Sequence, residues 1–542
     1  MKRLLFAAAA LAALPASAQT DPARLSATVK TLASDEFGGR APGTPGEQKT
    51  VAWLVEQMKA MGLRPGGPDG SWTQAVPMIR THLGADISAR AGDAALVQGK
   101  DIALTTVRDA HRISIANAPM VFVGYGVSAP EAKWDDFKGM DLRGKVAVFL
   151  VNDPDFEAVA GDDAKGRFGD RRMTYYGRWT YKFEEAARRG AVAALIVHET
   201  AGAGYPWSTA NASNGENYDI VRKAGDPRIG LQGWLSVEAS DRLFKAAGLD
   251  LATLKAKARS AAFRPIALPQ RFTASASVAV DHIRSANVLG KIPGGKAPDE
   301  TIMFGAHWDA YGEGPPDAAG RTLRPGANDD ALGVAGVLEL ARRFKAAPAP
   351  QRTLVFALWT GEERGLLGSE YYATDPVYPL GRTVANLTLD ILQTAGPARD
   401  VVLVGKGQSS LDALLVDAAK AQGRTVTPET FSERGLFYRA DHFSVARRGV
   451  PSQLLMALGG ASDLEKGGVT AGQAWLDAYM ACYHKTCDAW SPDWNFTGAA
   501  QDVDLFFTMG ERLARTGVWP RWTAGSEFEA IRAKTAAERT PQ

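Results

Sequence analysis

The chain has 542 residues, of which 45% are hydrophobic and 23% charged, as in ordinary globular proteins. Its length predicts two or three domains. The 62 basic and 60 acidic residues leave a formal net charge of +2 with no long charge run, which gives little support to nucleic-acid or polybasic membrane binding.

Residues 1–18 have the pattern of a secretory signal peptide. Two basic residues precede an apolar run from Leu4 to Leu14, and Ala-Ser-Ala at 16–18 forms a cleavage site. The alternative, a membrane anchor, is disfavoured because the apolar run is too short to span a bilayer comfortably. We therefore expect a mature chain that begins near Gln19, a periplasmic or secreted location, and no stable membrane anchor after cleavage.

The next two segments differ in their predicted structure. Residues 19–118 begin with helical spacing over 21–65, interrupted by a Gly/Pro loop, and continue with short strand-like runs. Residues 119–255 have the order strand, loop, strand, helix, strand, in which VAVFLV and AVAALIV are typical of buried strands. This predicts a smaller α/β module inserted into a larger domain, with an irregular loop over 200–232.

Residues 256–520 are predicted to continue the larger domain, and from about residue 285 onward strand-like and helix-like segments alternate. TIMFGAHWD, RTLVFALWT and VVLVG are strand-like, whereas DDALGVAGVLELARRF and VDLFFTMGERLARTG are helix-like. The alternation predicts an α/β fold with a mixed, largely parallel sheet flanked by helices. Residues 521–542 are polar, and we expect a loosely ordered tail.

The same C-terminal half holds side chains typical of metal ligands, several of them directly after predicted strands, where sites gather in open α/β sheets. The candidate ligands are two histidines and three carboxylates: His307, Asp329, Glu363, Asp390 and His484. Such a set meets the needs of two zinc ions, and one further glutamate, Glu362, supplies the base that a hydrolytic reaction requires.

Local alternatives exist for several of these residues. Asp329 opens a helix and would also serve as its cap, and the Glu362-Glu363 pair would also suit a solvated helix start. Asp309 lies two residues after His307, so both side chains point the same way in an extended register. We expect Asp309 to accept a hydrogen bond from the second imidazole nitrogen and to support catalysis by orienting the ring.

Two cysteines, Cys482 and Cys487, flank His484. A short-loop disulfide is favoured because the chain is exported, although free thiols or two extra ligands are alternatives. His442 follows Asp441 and competes with His484 as a ligand, but we expect a structural or supporting role for it. The histidines without a recognisable acidic or cysteine partner are interpreted as structural: His82, His111, His198 and His282.

Together the motifs HWD, GANDDALG, GEERGLLGS, LTLD, FYRADHFSVARRGVP and CYHKTCD resemble the M28 family of zinc peptidases. The stretch from about 119 to 255 resembles a protease-associated (PA) domain. The resemblance implies the zinc aminopeptidase fold, a cis peptide at Asp329-Asp330, and two Zn²⁺ ions. It assigns His307 and Asp390 to one zinc, Glu363 and His484 to the other, and Asp329 to both. It makes Glu362 the general base and places Tyr483 at the reacting carbonyl oxygen.

The resemblance implies an exported aminopeptidase that acts on peptides. A carboxypeptidase or dipeptidase of the same family is the main alternative. It would need converging arginines, for which the candidates are Arg434, Arg439, Arg447 and Arg448. A glutaminyl-cyclase-like enzyme would use one zinc, and a receptor-like binding protein would lack ligands or base, so the full residue set disfavours both. The sequence contains no G-x-S-x-G element, so a serine hydrolase is not supported. The oligomeric state is not predicted.

Overall fold

The computed structural model describes residues 19–539, so the predicted signal peptide lies outside the described residues. None of the helices in this range combines the length and apolar character needed to cross a membrane. The strands, in chain order, are β1 Arg64–Pro65, β2 Thr73–Leu83, β3 Ser88–Ala91, β4 Ala94–Ala95, β5 Ile102–Thr105, β6 Arg112–Phe122, β7 Ser128–Ala129, β8 Trp134–Asp135, β9 Val146–Leu150, β10 Ala193–Val197, β11 Glu216–Ile220, β12 Leu231–Leu235, β13 Ile266–Ile292, β14 Ala297–His307, β15 Gly312–Glu313, β16 Leu323–Arg324, β17 Arg352–Trp359, β18 Thr383–Leu389, β19 Asp400–Leu403, β20 Thr425–Pro428 and β21 Ser452–Leu455. The α-helices are α1 Pro22–Leu32, α2 Pro45–Ala60, α3 Trp179–Arg188, α4 Thr200–Ala203, α5 Trp207–Ala210, α6 Val237–Ala246, α7 Leu251–Ala258, α8 Gly333–Ala346, α9 Leu367–Thr374, α10 Leu411–Ala421, α11 His442–Ala446, α12 Gly468–Cys482, α13 Thr497–Arg515 and α14 Glu529–Ala533.

Four parallel strands form the centre of the C-terminal half, in the order β21-β18-β14-β17. Every residue of β17 and β18 is buried, as expected for strands that helices cover on both faces. Helices α1, α2, α8, α10 and α13 contribute apolar side chains to the core on one face. On the other face, α9 and α11 pack against the sheet. The predicted α/β fold with a largely parallel sheet flanked by helices is confirmed.

One strand of 27 residues, β13, connects this block of strands to a second one. Its first half pairs with β6, its middle with β2, and its last residues with β17, in each case antiparallel. Beyond β6 the strand order continues β9-β10-β12-β5, and β6, β9, β10 and β12 are parallel. Strands β9, β10 and β12 fall within the module predicted at 119–255, and β5 and β6 begin before it. The likeness of this module to a PA domain and the domain boundaries stay predictions.

Two stretches have more structure than the sequence suggested. The expected irregular loop at 200–232 contains β11, which pairs with β2 and so joins the sheet of the C-terminal half. The expected loose tail is packed: Trp522 and Phe528 are buried in an apolar cluster, and the Trp522 indole N–H donates to the Gly449 carbonyl. Isolated aromatic residues in polar sequence give no periodic signal, so this docking follows from tertiary contacts alone.

Candidate metal centre

Four of the six candidate side chains lie at the carboxyl ends of the parallel strands. His307 is the last residue of β14, Glu362 and Glu363 lie in a 3₁₀ turn after β17, and Asp390 follows β18 directly. Because β17, β14 and β18 are adjacent and parallel, their carboxyl ends meet at one edge of the sheet.

The other two candidates reach this edge from loops. Asp329 lies in an irregular helical turn that precedes α8, and His484 follows the end of α12. The turn starts at Gly326, which has φ +57° and where a Cβ would lie 2.3 Å from the Asp329 carbonyl oxygen. Cys482 and Cys487 form the predicted disulfide and close a short loop around His484.

Asp329 lies between the two histidines. Its Oδ1 is 3.1 Å from His307 Nε2, and its Oδ2 is 3.2 Å from His484 Nε2. His484 Nε2 is also 3.1 Å from Glu363 Oε2, whereas His307 Nε2 is 4.0 Å from Asp390 Oδ1. One carboxylate thus faces two separate groups of donors, which is the arrangement of a bridging ligand.

The neighbouring Asp330 is also fully buried, but backbone amides occupy its oxygens. Oδ1 accepts from the Gly333 and Ile391 N–H groups, and Oδ2 accepts from the His307 N–H. The peptide bond between Asp329 and Asp330 is cis, as the family resemblance implied. Asp330 therefore fastens the turn to β14 and to the end of β18, and Asp329 is the residue whose carboxylate faces the histidines.

The donor atoms form two groups, each with its members within 4.8 Å of one another: His307, Asp330 and Asp390, and Asp329, Glu363 and His484. Two of the carboxylate oxygens, Asp390 Oδ1 and Asp329 Oδ2, are buried and accept no hydrogen bond of good geometry. Buried carboxylates in such density normally pair with cations or coordinate metals. The residues present therefore fit the binding of divalent cations.

Electrostatics support the same conclusion. Burial raises the pKa of Asp390 to about 8, and the carboxylate of Asp329 adds to the shift. Burial together with neighbouring carboxylates also raises the pKa values of Glu362 and Glu363 well above their ordinary range. Burial alone would lower the pKa of His307, but the surrounding carboxylates, Glu362 first, raise it well above its usual value. A bound cation would relieve this repulsion among like charges.

Glu362 and Glu363 diverge as expected for adjacent residues. Glu363 approaches His484, while Glu362 Oε2 lies 3.9 Å from His307 Nε2. The side chain of Glu362 is 11% exposed and that of Glu363 is 3% exposed.

The contacts of Asp309 differ in detail from the prediction. Its backbone carbonyl, not its carboxylate, is the near partner of His307 Nδ1, at 3.0 Å against 3.6 Å. The carboxylate instead accepts from the Glu362 N–H at 3.0 Å, because β17 ends beside β14.

Tyr483 lies against His484, with ring centroids 3.6 Å apart. Burial raises the pKa of the Tyr483 phenol well above its usual value, and the carboxylates of Asp329 and Glu363 add to the effect. The phenol therefore stays protonated and is a hydrogen-bond donor at the edge of the carboxylate cluster. The ring of Tyr311 also lies close to His484, with ring centroids 4.5 Å apart.

Two residues that hold the Asp329 turn were not assigned from the sequence. Asp488 accepts from the backbone N–H groups of Asn328 and Asp329, at 2.9 and 3.1 Å. Arg40 is fully buried and donates to the carbonyls of Pro325 and Gly326, directly before the turn. The signals were weak: Asp488 closes the CYHKTCD motif, and Arg40 is a lone basic residue in a Gly/Pro loop.

The remaining histidines of the described residues are not members of the two donor groups. His442 is fully buried, and neither of its ring nitrogens has a hydrogen bond of good geometry. Its ring packs against Phe437 with centroids 4.7 Å apart. His198 contacts the Tyr205 carbonyl, and His282 pairs with Asp109. The structural interpretation of His442 agrees with this packing.

Comparisons with known proteins point the same way as this geometry. Residues 287–508 match the description "Peptidase family M28". They therefore belong to peptidase family M28. The matched range contains β14, β17 and β18 and all six candidate residues of the centre.

Two curated relatives extend the comparison. Aminopeptidase Y of Saccharomyces cerevisiae is 29% identical over 39% of this chain and 35% of its own length. The probable lipoprotein aminopeptidase LpqL of Mycobacterium tuberculosis is 26% identical over 78% of this chain and 71% of its own length. The chain thus spans about a third of the first relative and most of the second.

Among solved structures, the aminopeptidase from Aneurinibacillus sp. strain AM-1 superposes with a TM-score of 0.50 and 21% identity. The superposition covers 93% of this chain and 96% of that one. This likeness shows that the fold extends over almost the whole chain, including the strands on both sides of β13.

Proposed function

We propose that this chain is an exported di-zinc aminopeptidase that releases N-terminal residues from peptides. The observation that carries the proposal is the position of Asp329, whose two carboxylate oxygens face His307 and His484 separately. The family match and the aminopeptidase names of the relatives support the same reaction class.

The ligand set favours zinc. Imidazole nitrogens with a few carboxylate oxygens suit zinc, whereas calcium and magnesium prefer oxygen donors alone. We assign His307 and Asp390 to one ion and Glu363 and His484 to the other, with Asp329 shared. When bound, the ions would polarise the attacking water and the scissile carbonyl.

The protein side chains then have distinct roles. Glu362 has a carboxylate that no strand or turn amide occupies, so it takes a proton from the attacking water and passes it to the leaving amine. The N–H of Glu362 donates to Asp309, which positions the base at the end of β17. Tyr483 stays protonated and donates to the carbonyl oxygen as negative charge develops there.

The recognition of a free amine fits the same set of residues. Glu362 and Asp390 present carboxylates near His307, and a protonated N-terminus would offset their negative charge. Two of the arginines considered for a carboxypeptidase, Arg447 and Arg448, are already paired with Glu370. This pairing weakens, for those two residues, the case for a carboxypeptidase.

The location of the enzyme rests on the N-terminal pattern of residues 1–18 and on the lipoprotein relative. We propose a periplasmic or secreted enzyme. The Cys482–Cys487 disulfide fits an oxidising compartment.

The test is hydrolysis of free-amine aminoacyl-nitroanilides beside their N-acetylated forms, with metal content measured on the same samples. We expect two zinc ions per chain, hydrolysis that a chelator stops and zinc restores, and no turnover of the acetylated forms. Equal hydrolysis of acetylated substrates would rule out an aminopeptidase. No hydrolysis by protein that holds two zinc ions would favour a binding protein on this scaffold.

A further inference from the structure

A cavity lies beside one of the two donor groups of the metal centre. Its wall contains all three members of that group, Asp329, Glu363 and His484. Three further charged residues, which the proposed mechanism does not use, line the same wall: Arg324, Lys485 and Asp488. The donor group and these charged side chains therefore share one cavity.

The acidic residues of this wall already have partners, whereas the basic ones have no acid. Asp488 accepts from two backbone N–H groups, and the other two acids face the His484 imidazole. The Lys485 ammonium group donates to the Ala481 carbonyl at 2.8 Å. Within residues 19–539, neither Arg324 nor Lys485 forms an ion pair with a carboxylate. The charge that lacks an opposite partner in this wall is therefore positive.

Arg324 reaches the cavity from the hairpin of β15 and β16. Its guanidinium group donates to the carbonyls of Thr322 and Pro315, at 3.2 and 3.3 Å. Most of its N–H donors thus have no acceptor in the described part of the chain. The hairpin also leaves space for the group, because a Cβ at Gly314 would lie 1.9 Å from Arg324 Nη1. The guanidinium is therefore held in place without using most of its donors.

The aromatic part of the wall, Tyr311, is fixed from two sides of the fold. Its ring lies 4.5 Å from the His484 ring, between centroids, and 4.9 Å from the Arg364 guanidinium. The same guanidinium lies 5.0 Å from the ring of Tyr218, which belongs to β11. Both contacts are within the range of a cation–π interaction. The wall opposite the metal ligands is therefore a preformed surface and not a loose loop.

We propose that this cavity binds a carboxylate of the substrate, with Arg324 as the specificity-determining residue and Lys485 as a second cation. The proposal rests on the proposed function and adds a substrate class to it: peptides with a carboxylate on the leaving side of the cleaved bond. The proposed function places the amine at Glu362 and Asp390, near His307, and the cavity adjoins the other donor group. A guanidinium group binds a carboxylate through two parallel hydrogen bonds, so an arriving carboxylate would use the donors that the hairpin leaves without an acceptor.

The carboxylate has two sources, the C-terminus of a dipeptide or the side chain of an acidic residue after the cleaved bond. Three substrates separate them: leucyl-alanine, leucyl-alanine amide and leucyl-glutamate amide. Their hydrolysis is measured with the zinc-loaded full chain and with the variants Arg324→Gln, Arg324→Lys and Gly314→Ala. Arg321→Gln is the matched control, because Arg321 lies in the same hairpin but already pairs with Asp317 at 2.8 Å.

We expect the wild type to prefer a substrate that carries a carboxylate over leucyl-alanine amide. Arg324→Gln should raise KM for the preferred substrate by about 10- to 100-fold, as for loss of a hydrogen bond between charged groups, with kcat nearly unchanged. Arg324→Lys keeps the charge without the planar fork, and Gly314→Ala keeps the arginine but displaces it, so both should give intermediate KM values. Hydrolysis of leucyl-alanine amide and the zinc content should not change in any variant.

The preferred substrate identifies the source of the carboxylate. Preference for leucyl-alanine identifies the C-terminus, and preference for leucyl-glutamate amide identifies the acidic side chain. Equal losses on all three substrates in Arg324→Gln, a wild type that ignores the carboxylate, or the same loss in Arg321→Gln would overturn the subsite.

A binding measurement on zinc-free protein keeps the test independent of catalysis. Leucyl-alanine or leucyl-glutamate amide should raise the melting temperature of the wild type more than leucyl-alanine amide does, and this difference should vanish in Arg324→Gln. If nitroanilides are not hydrolysed but this difference is present, only the proposed function fails. If nitroanilides are hydrolysed and the difference is absent, only the subsite fails.

Discussion

Replacement of Arg40 by methionine should lower the free energy of unfolding, because Arg40 holds the segment directly before the Asp329 turn. Its guanidinium donates to the carbonyls of Trp308, Leu32, Pro325 and Gly326 at 2.6–2.8 Å. Hydrogen bonds from a charged donor contribute about 1.5–3 kcal/mol each, so four give roughly 6–12 kcal/mol before the cost of burying the cation. Burying the cation costs several kcal/mol, and this cost is absent in the methionine variant. We expect a net loss of about 3–5 kcal/mol in the free energy of unfolding.

The assay is urea unfolding monitored by tryptophan fluorescence. The protein is zinc-free, because zinc binding would otherwise add to the measured stability. Arg40→Lys keeps the charge but not the four-fold geometry, and it should fall between the wild type and Arg40→Met. Arg143→Met is the control, since Arg143 is an exposed residue paired only with Asp141, and it should leave the midpoint unchanged. A change of less than about 1 kcal/mol in Arg40→Met would refute the reasoning, because four carbonyls would then have found other partners at no cost.

Three further predictions concern the centre and its surroundings. Glu362→Gln should keep both zinc ions and lose about 10²- to 10⁴-fold in kcat, measured with a nitroanilide; retained activity would remove Glu362 as the base. Asp329→Ala should lose metal and activity together, and a variant that still holds two zinc ions by elemental analysis would end the bridging role. Burial lowers the pKa of His442 to about 3, so between pH 6.5 and 3 the unfolded chain binds more protons and stability falls as pH falls. The His442 ring makes no good hydrogen bond that His442→Phe would lose. In zinc-free protein, the variant should therefore reduce the fall in the free energy of unfolding between pH 6.5 and 3 by roughly 4 kcal/mol. The same fall in the variant and the wild type would contradict this prediction.

The sequence predicted the parts of the site that depend on strand order. β17, β18 and the second half of β14 are buried, and each contains a strand-like run that ends just before a candidate residue. Their ends could therefore be placed at one edge, and His307, Glu362 and Asp390 with them. Asp329 was the predicted ligand and its neighbour Asp330 the alternative helix cap, but only the family resemblance assigned Asp329 to both ions. Both are buried acids in one turn, and the choice depends on which carboxylate the backbone amides occupy.

Features that depend on distant contacts were not predicted. Arg40 and Arg178 carry no periodic or motif signal, and their burial is set by segments far away in the chain. Strand β13 was also missed upstream of residue 285, because TASASVAV consists of small residues whose alternation is weak. Asp309 was predicted to accept a hydrogen bond from the His307 imidazole, but its carboxylate accepts from the Glu362 N–H. The sequence did not show this contact because it depends on β14 and β17 ending side by side.

The continuity of β13 limits how the protein can be divided. A fragment that ends near residue 255 would keep β6 and β2 but lose the strand that pairs with both of them. Two long edges of unpaired N–H and C=O groups would then face solvent, which is the usual origin of edge-to-edge aggregation. The second block of strands is therefore not expected to fold as a separate fragment. A soluble fragment that contains it must include at least the first half of β13, which pairs with β6.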